Sequence, residues 1–299
     1  MGLDKQKDPE KKDIEFILNL LSKNKFMEAE DEINKLIINF PNSSILFNIL
    51  GAVFAEQSEF EKAIKKYEKA IKINPNYAEA HSNLGVALDK SNKISDAIKC
   101  YEKAISLKNN FAEAYNNLGN AMRGLNKQSE ALSNLKQAIK IKPNYAEAFY
   151  NLGGAHQQFG NKKEAIYNFK KAIEIRLNYI EAYNGLGLAY ESLAMYDESA
   201  RTYETAIKLN PNYEKPYNNL GNLLSHIGKY DEATSLYYKA IELKPDYAKA
   251  YSNLLLNLNY KFNFDKKIYL SEAKKFRDNC KPKKKISIKY QYNENPEKI

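Results

Sequence analysis

Between residues 44 and 247 the apolar and small positions fall into a block of 34 residues copied six times without drift. Numbering each block from its first residue, position 4 reads Phe47, His81, Tyr115, Phe149, Tyr183 and Tyr217, and position 7 is leucine from Leu50 to Leu220. Position 8 is glycine in every copy: Gly51, Gly85, Gly119, Gly153, Gly187 and Gly221. With position 11 (Phe54, Leu88, Met122, His156, Tyr190, Leu224) these make an i, i+3, i+4, i+7 stripe, the apolar face of a helix. A second stripe follows, with Ala or Ser199 at position 20, Tyr, Leu135 or Phe169 at position 24, and alanine throughout position 27. The pattern predicts two antiparallel helices per block. Small residues at 8, 20 and 27 let them approach closely, and aromatics at 4 and 24 fill the space beside them. Pro75, Pro143, Pro211 and Pro245 at position 32 stop the second helix, and the aromatic at position 34, Tyr77 to Tyr247, packs between blocks.

A strict period of this length holding two helices resembles the tetratricopeptide unit, which implies an all-α fold, an α-α superhelix (solenoid) with its first helices lining a concave groove. Decayed copies flank the six. Residues 10–43 keep Ala29, Ile33 and Pro41 in register but carry Ile17 at position 8. From Ala248 the pattern keeps Tyr251, Asn253 and Leu254, then fails: glycine becomes Leu255, and Lys267 and Lys274 stand where alanines belong. The expected organisation is a disordered tail at 1–9, a degenerate first repeat at 10–43, six repeats at 44–247, a degenerate last repeat or junction at 248–280, and a basic tail or linker at 281–299.

Charge changes the picture only at one end. From Lys261 to Ile299 twelve Lys or Arg face five Asp or Glu, so this stretch holds +7 of the formal +9 and the repeats are nearly neutral. That argues against a phosphate-binding groove, so no nucleic-acid partner is expected. The lysine run 281, 283, 284 and 285 reads as a solvated linker. No stretch approaches a membrane span and the charged N-terminus lacks an apolar leader core, so neither a membrane partner nor a secretory route is expected. Two cysteines, Cys100 and Cys280, do not make a disulfide framework; a cytoplasmic location is expected. His81 and His156 fall at packed positions, and His226, at position 13, faces the groove. No spacing suits a metal, a phosphate loop or a catalytic triad, so no catalytic residue, metal or cofactor is expected.

Candidate binding chemistry lies on the first helices. Position 6 reads Asn83, Asn117, Asn151, Gly185, Asn219 and Asn253. An asparagine amide both donates and accepts, so such a ladder can hold the backbone of an extended peptide whatever its side chains. Alternatively the row serves only neighbouring backbone. Position 2 carries Glu79, Glu113, Glu147 and Glu181, then Lys215 and Lys249. Favourable interaction with the helix macrodipole accounts for these glutamates; an acidic groove edge that orients a ligand is the other reading.

The end of the array holds a further clue, because a terminal helix normally turns a polar face outward. Here Leu254, Leu255, Leu256, Leu258, Tyr260, Phe262 and Phe264 crowd together, an end built to dock against something. The segment YSNLLLNLNY (Tyr251–Tyr260), followed by FDKKIYLSEAKKF and a basic stretch to NPEKI, resembles the junction of bacterial O-linked N-acetylglucosamine transferases of the SPINDLY family. That resemblance implies the substrate-recognition arm of a protein glycosyltransferase, with catalytic lobes and a UDP-sugar site beyond residue 299. It also implies a peptide-binding ladder at Asn83, Asn117, Asn151, Asn219 and Asn253, interrupted at Gly185. A free-standing adaptor with no chemistry is the competing reading.

Overall fold

The computed structural model describes residues 8–260 and 265–280, and all sixteen helices among them are α-helices, with no strand. The lysine run after Cys280, Phe262 and Phe264, and most of the expected N-terminal tail lie outside the described residues. The chain divides into two compact units, 1–185 and 186–299. The first holds α1 (Lys11–Ser22), α2 (Phe26–Asn39), α3 (Ser44–Glu56), α4 (Phe60–Ile73), α5 (Ala78–Lys90), α6 (Ile94–Leu107), α7 (Ala112–Gly124), α8 (Gln128–Ile141), α9 (Ala146–Gln158) and α10 (Lys162–Ile175). The division crosses α11 (Ile180–Glu191); the second unit then holds α12 (Tyr196–Leu209), α13 (Glu214–His226), α14 (Tyr230–Leu243), α15 (Ala248–Tyr260) and α16 (Lys266–Asn279). Within each unit odd and even helices pair and stack in chain order, the all-α solenoid the period predicts.

Each pair of the six repeats is locked by its glycine. A methyl group on Gly85 would stand 2.5 Å from the Tyr101 ring and one on Gly51 2.6 Å from Tyr67, so position 8 is empty because the position-24 ring occupies it. Tyr101 and Tyr203 are fully buried in this way. The alanines at 20 and 27 are equally inaccessible. The structure adds two positions the stripe left out: position 3 (Leu46, Ala80, Ala114, Ala148, Ala182) and position 10 (Val53, Ala87, Ala121, Ala155, Ala189, Leu223) are all core. Position 4 is buried at Phe47 and half-buried in the other five copies. His81 and Tyr217 are half-buried and reach back to the carbonyl oxygens of Pro75 and Pro211 at 2.9 and 3.0 Å.

The helix junctions within pairs share one device. Position 15 has positive φ in every copy: Asn24, Ser58, Asn92, Asn126, Ala194, Gly160 and Gly228. There the amide after the left-handed residue returns to the last turn, as in Lys93 N–H to Leu88 O at 2.9 Å, closing the helix and reversing the chain. The position-34 aromatics sit between repeats: Phe111 packs with Ala78, Ala104 and Ala114, and Tyr179 with Ala146, Ala172 and Ala182.

In the second unit the array changes register. The second helix of each repeat begins at position 17, but α16 begins at Lys266, two residues late, capped by Asp265, whose carboxylate accepts from the amides of Lys267 and Ile268. Its contacts are aromatic rather than small: Phe276 stacks on Tyr251 at 5.7 Å, and Asn279 donates to the Tyr251 hydroxyl. Of the apolar crowd at this end, Leu254 and Leu258 are core, whereas Leu256 (55% exposed) and Tyr260 (58%) face solvent.

Candidate functional site

The first helices of the first unit enclose a groove of about 590 Å³, walled by Asn48 and Asn83, Ser82 and Val86, Asn117, the glutamates Glu79, Glu113 and Glu147, and the aromatics Tyr77, Phe111 and Tyr145. These are positions 2, 5, 6, 9 and 34 of successive repeats, brought to one face by the helical period and the 34-residue translation. Two of the five predicted ladder residues, Asn83 and Asn117, belong to this groove and are half-buried. Asn151 and Asn219 are buried, 8% and 6% exposed, and do not line this groove. Asn253 lines a separate cavity of about 430 Å³ in the second unit.

A residue that sequence reasoning missed explains the difference. Position 5 is asparagine in four copies, Asn48, Asn116, Asn184 and Asn218, and in three of them the side-chain carbonyl accepts from the position-6 amide of the next repeat: Asn83 to Asn48 at 3.1 Å, Asn151 to Asn116 at 2.9 Å, Asn253 to Asn218 at 2.9 Å. The same position-5 side chains donate to a neighbouring acceptor, Asn116 to Asn117 and Asn218 to Asn219. A buried amide must find such partners. Position 6 is therefore a seam between repeats. Where position 5 is Ser82, the seam is open: the serine is too short to meet Asn117, and neither the Ser82 hydroxyl nor the Asn117 amide nitrogen has a hydrogen-bond partner among the described residues. The spacing of 35 residues between asparagines, one more than the period, was the signal available in the sequence.

The glutamate row is also engaged. Lys108 and Lys142, at position 31, lie 2.8 Å from the carboxylates of Glu79 and Glu113 in the same repeat. Each lysine rests over the following aromatic, 4.7 Å from the Phe111 ring centre and 4.6 Å from that of Tyr145. The hydrogen bond from Lys108 holds the Glu79 carboxyl below its usual range; at Glu113 burial pushes upward, but the bond and charge of Lys142 prevail and the shift is downward. Glu147 has no such bond. Arg176, its position-31 counterpart, sits 4.4 Å over Tyr179, and Glu147 makes no ion pair among the described residues.

In the second unit His226 borders two cavities, with Tyr196 hydroxyl 3.1 Å from its Nε2. Glu191, half-buried and lining the second of these cavities, has its carboxyl pushed upward by partial burial while accepting from the Tyr203 hydroxyl at 3.2 Å. The other two histidines are structural: burial lowers the His156 pKa, and His81 pairs with a carbonyl. Cys100 and Cys280 are free thiols, and burial pushes the former up to about 11, far from a reactive thiolate. Among the described residues no group of three His, Cys, Asp or Glu could hold a metal ion, and no helix is long and apolar enough to cross a membrane.

Comparison with known proteins agrees with this geometry. A search of curated proteins finds no match. Among solved structures, the chain is similar to a chain of the APC/C hetero-tetramer Cut9–Hcn1, at 18% identity and a TM-score of 0.70 over 79% of this chain. It spans only 46% of that chain's length. A tetratricopeptide repeat protein from Parabacteroides merdae is similar at 16% identity and TM-score 0.66, over 83% of this chain and 98% of that one. MamA is 30% identical over 56% of this chain and 92% of its own, at TM-score 0.48. The family described as TPR repeat matches residues 51–91, 90–125, 122–160 and 158–193, and that described as tetratricopeptide repeat matches 180–213 and 215–247. With its helix pairs, glycine locks and 34-residue translation all accounted for, the chain belongs to the tetratricopeptide repeat family.

Proposed function

We propose that this chain is a binding scaffold that holds an extended peptide or protein segment along the first helices, with the groove of the first unit as the principal site. The open seam at Ser82 and Asn117 carries the reading: a hydroxyl and an amide nitrogen, left without protein partners inside a groove, suit the alternating donors and acceptors of an extended backbone. Asn83 and Asn117 are the contacts in this groove and Asn253 the contact in the second unit. Asn151 and Asn219 act indirectly, by fixing neighbouring repeats. Replacing Asn83 and Asn117 together by alanine should weaken peptides selected from a random dodecapeptide phage library at least about tenfold, a loss of ~1.4 kcal/mol, with far-ultraviolet circular dichroism unchanged. Equal capture by the variant, or no enrichment by the parent chain, sinks the proposal.

A second reading rests on the other end. Leu256, Tyr260, Ile268 (46% exposed) and Leu270 (55%) leave apolar surface on α15 and α16, as expected of an end that docks a following domain. Together with the resemblance of Tyr251–Tyr260 to the SPINDLY-family junction, this supports a substrate-recognition arm of a protein glycosyltransferase, the region 248–280 serving as junction and 281–299 as linker. Immunoblotting of the native gene product tests it: a polypeptide well above 34.4 kDa that transfers N-acetylglucosamine from its UDP-sugar is expected. A product of this mass without transfer favours the free-standing adaptor.

A further inference from the structure

We infer that the groove of the first unit selects extended peptides that carry a lysine or arginine, with the Glu147 carboxylate as the acceptor of that charge; this rests on the peptide-binding reading above. Three carboxylates, Glu79, Glu113 and Glu147, line the groove, and no lysine or arginine does. Two of the three already hold a cation in a fixed manner. Lys108 and Lys142 each place an ammonium 2.8 Å from a carboxylate and above an aromatic face at 4.7 and 4.6 Å. The wall is thus built from carboxylate and ring pairs that accommodate an ammonium. Glu147 is the carboxylate left over, two residues after the groove-lining Tyr145, solvent-exposed and without an ion pair among the described residues.

A row of acids alone would be a solvated face, but a second observation lies in the same groove. Ser82 is 3% exposed, lines the cavity, and its hydroxyl has no hydrogen-bond partner among the described residues, as the Asn117 amide nitrogen has none. Its place on the cavity wall leaves that hydroxyl open to a ligand atom. The groove therefore offers an uncommitted donor and acceptor pair for a backbone, next to an uncommitted negative charge for a side chain. An acidic side chain would meet the unpaired Glu147 carboxylate, with the Glu79 and Glu113 charges already offset by Lys108 and Lys142, which sets the sign of the selectivity.

The test uses the full chain and three pools of fluorescein-labelled dodecapeptides, random except for two fixed central positions that are Arg, Gln or Glu. Fluorescence anisotropy should rank the pools Arg, Gln, Glu, with about a tenfold preference for Arg over Gln that shrinks between 50 and 500 mM salt as charge is screened. Glu147→Gln should remove that preference while leaving the Gln pool unchanged, and Glu147→Lys should invert it. Equal binding of all three pools overturns the charge inference and leaves the peptide reading standing. Binding of none overturns both, and saturation by a synthetic peptide of residues 281–299 alone assigns the groove to the chain's own basic segment and overturns selection of a foreign partner.

Discussion

Replacing Gly85 by valine is expected to destabilise the first unit by about 3 kcal/mol, the upper range for overpacking a core. On helix propensity alone a larger residue should help, since glycine costs about 1 kcal/mol relative to alanine in a helix interior. Packing decides the sign. The first added carbon would stand 2.5 Å from a ring carbon of Tyr101, whose side chain is 1% exposed and has nowhere to move. Because stability in stacked repeats is largely local, hydrogen exchange of α5 and α6 should rise well before that of α1. Pairing the change with Tyr101→Ala should be less damaging than the two single costs combined, because each variant removes what the other clashes with. A Gly85→Val chain that melts at or above the parent temperature refutes this account.

The same pairing clarifies where the array stops. At Leu255 the glycine is lost, and the register position that carries the ring in other repeats is Ser271. Bulk has moved from one helix to the other. With α16 starting two residues late, the closing contact is instead the stack of Phe276 on Tyr251. Leucines 254 and 258, read from sequence as part of a docking surface, are the core of this end, and among the described residues of that group Leu256 and Tyr260 keep the exposed character expected.

The helices and their pairing were legible because every copy packs against a copy of itself, so the same contact recurs at the same position. Glycine at 8 and the ring at 24 are such a contact. The seam was not legible, because asparagine at position 5 looks like any polar helix residue until its partner, 35 residues on, is placed beside it. Pairing of Lys108 with Glu79 and of Lys142 with Glu113 was missed for a related reason. The glutamates were explained by the macrodipole one helix at a time, whereas the lysines that hold them lie 29 residues away in the following turn. The core at positions 3 and 10 is mostly alanine, whose small apolar surface adds little to a hydrophobic stripe. Left-handed residues at position 15 were hidden by their chemical variety: asparagine, serine, alanine and glycine all serve.

Substituting Asn116 by leucine should cost about 2–3 kcal/mol, the penalty for leaving a buried amide without its partner. Asn116 is 1% exposed; it accepts from Asn151 at 2.9 Å and donates to Asn117 at 3.4 Å. Its loss strands the Asn151 amide, itself 8% exposed, between two repeats. The double variant Asn116→Leu, Asn151→Leu should recover part of that loss, since an apolar pair asks for no hydrogen bond, and the recovery in a double-mutant cycle measures the seam directly. Asn117→Ala, one residue along the same helix, should cost less than Asn116→Leu, because it removes only the acceptor of the longer 3.4 Å bond from Asn116 while its own amide nitrogen has no protein partner among the described residues. Thermal melts of these variants alongside peptide capture therefore divide the asparagine row by role. Stability lost at Asn151 with binding lost at Asn117 fits a seam that is open at Ser82 to admit a ligand; a row whose members all lose binding and none stability would restore the uniform ladder.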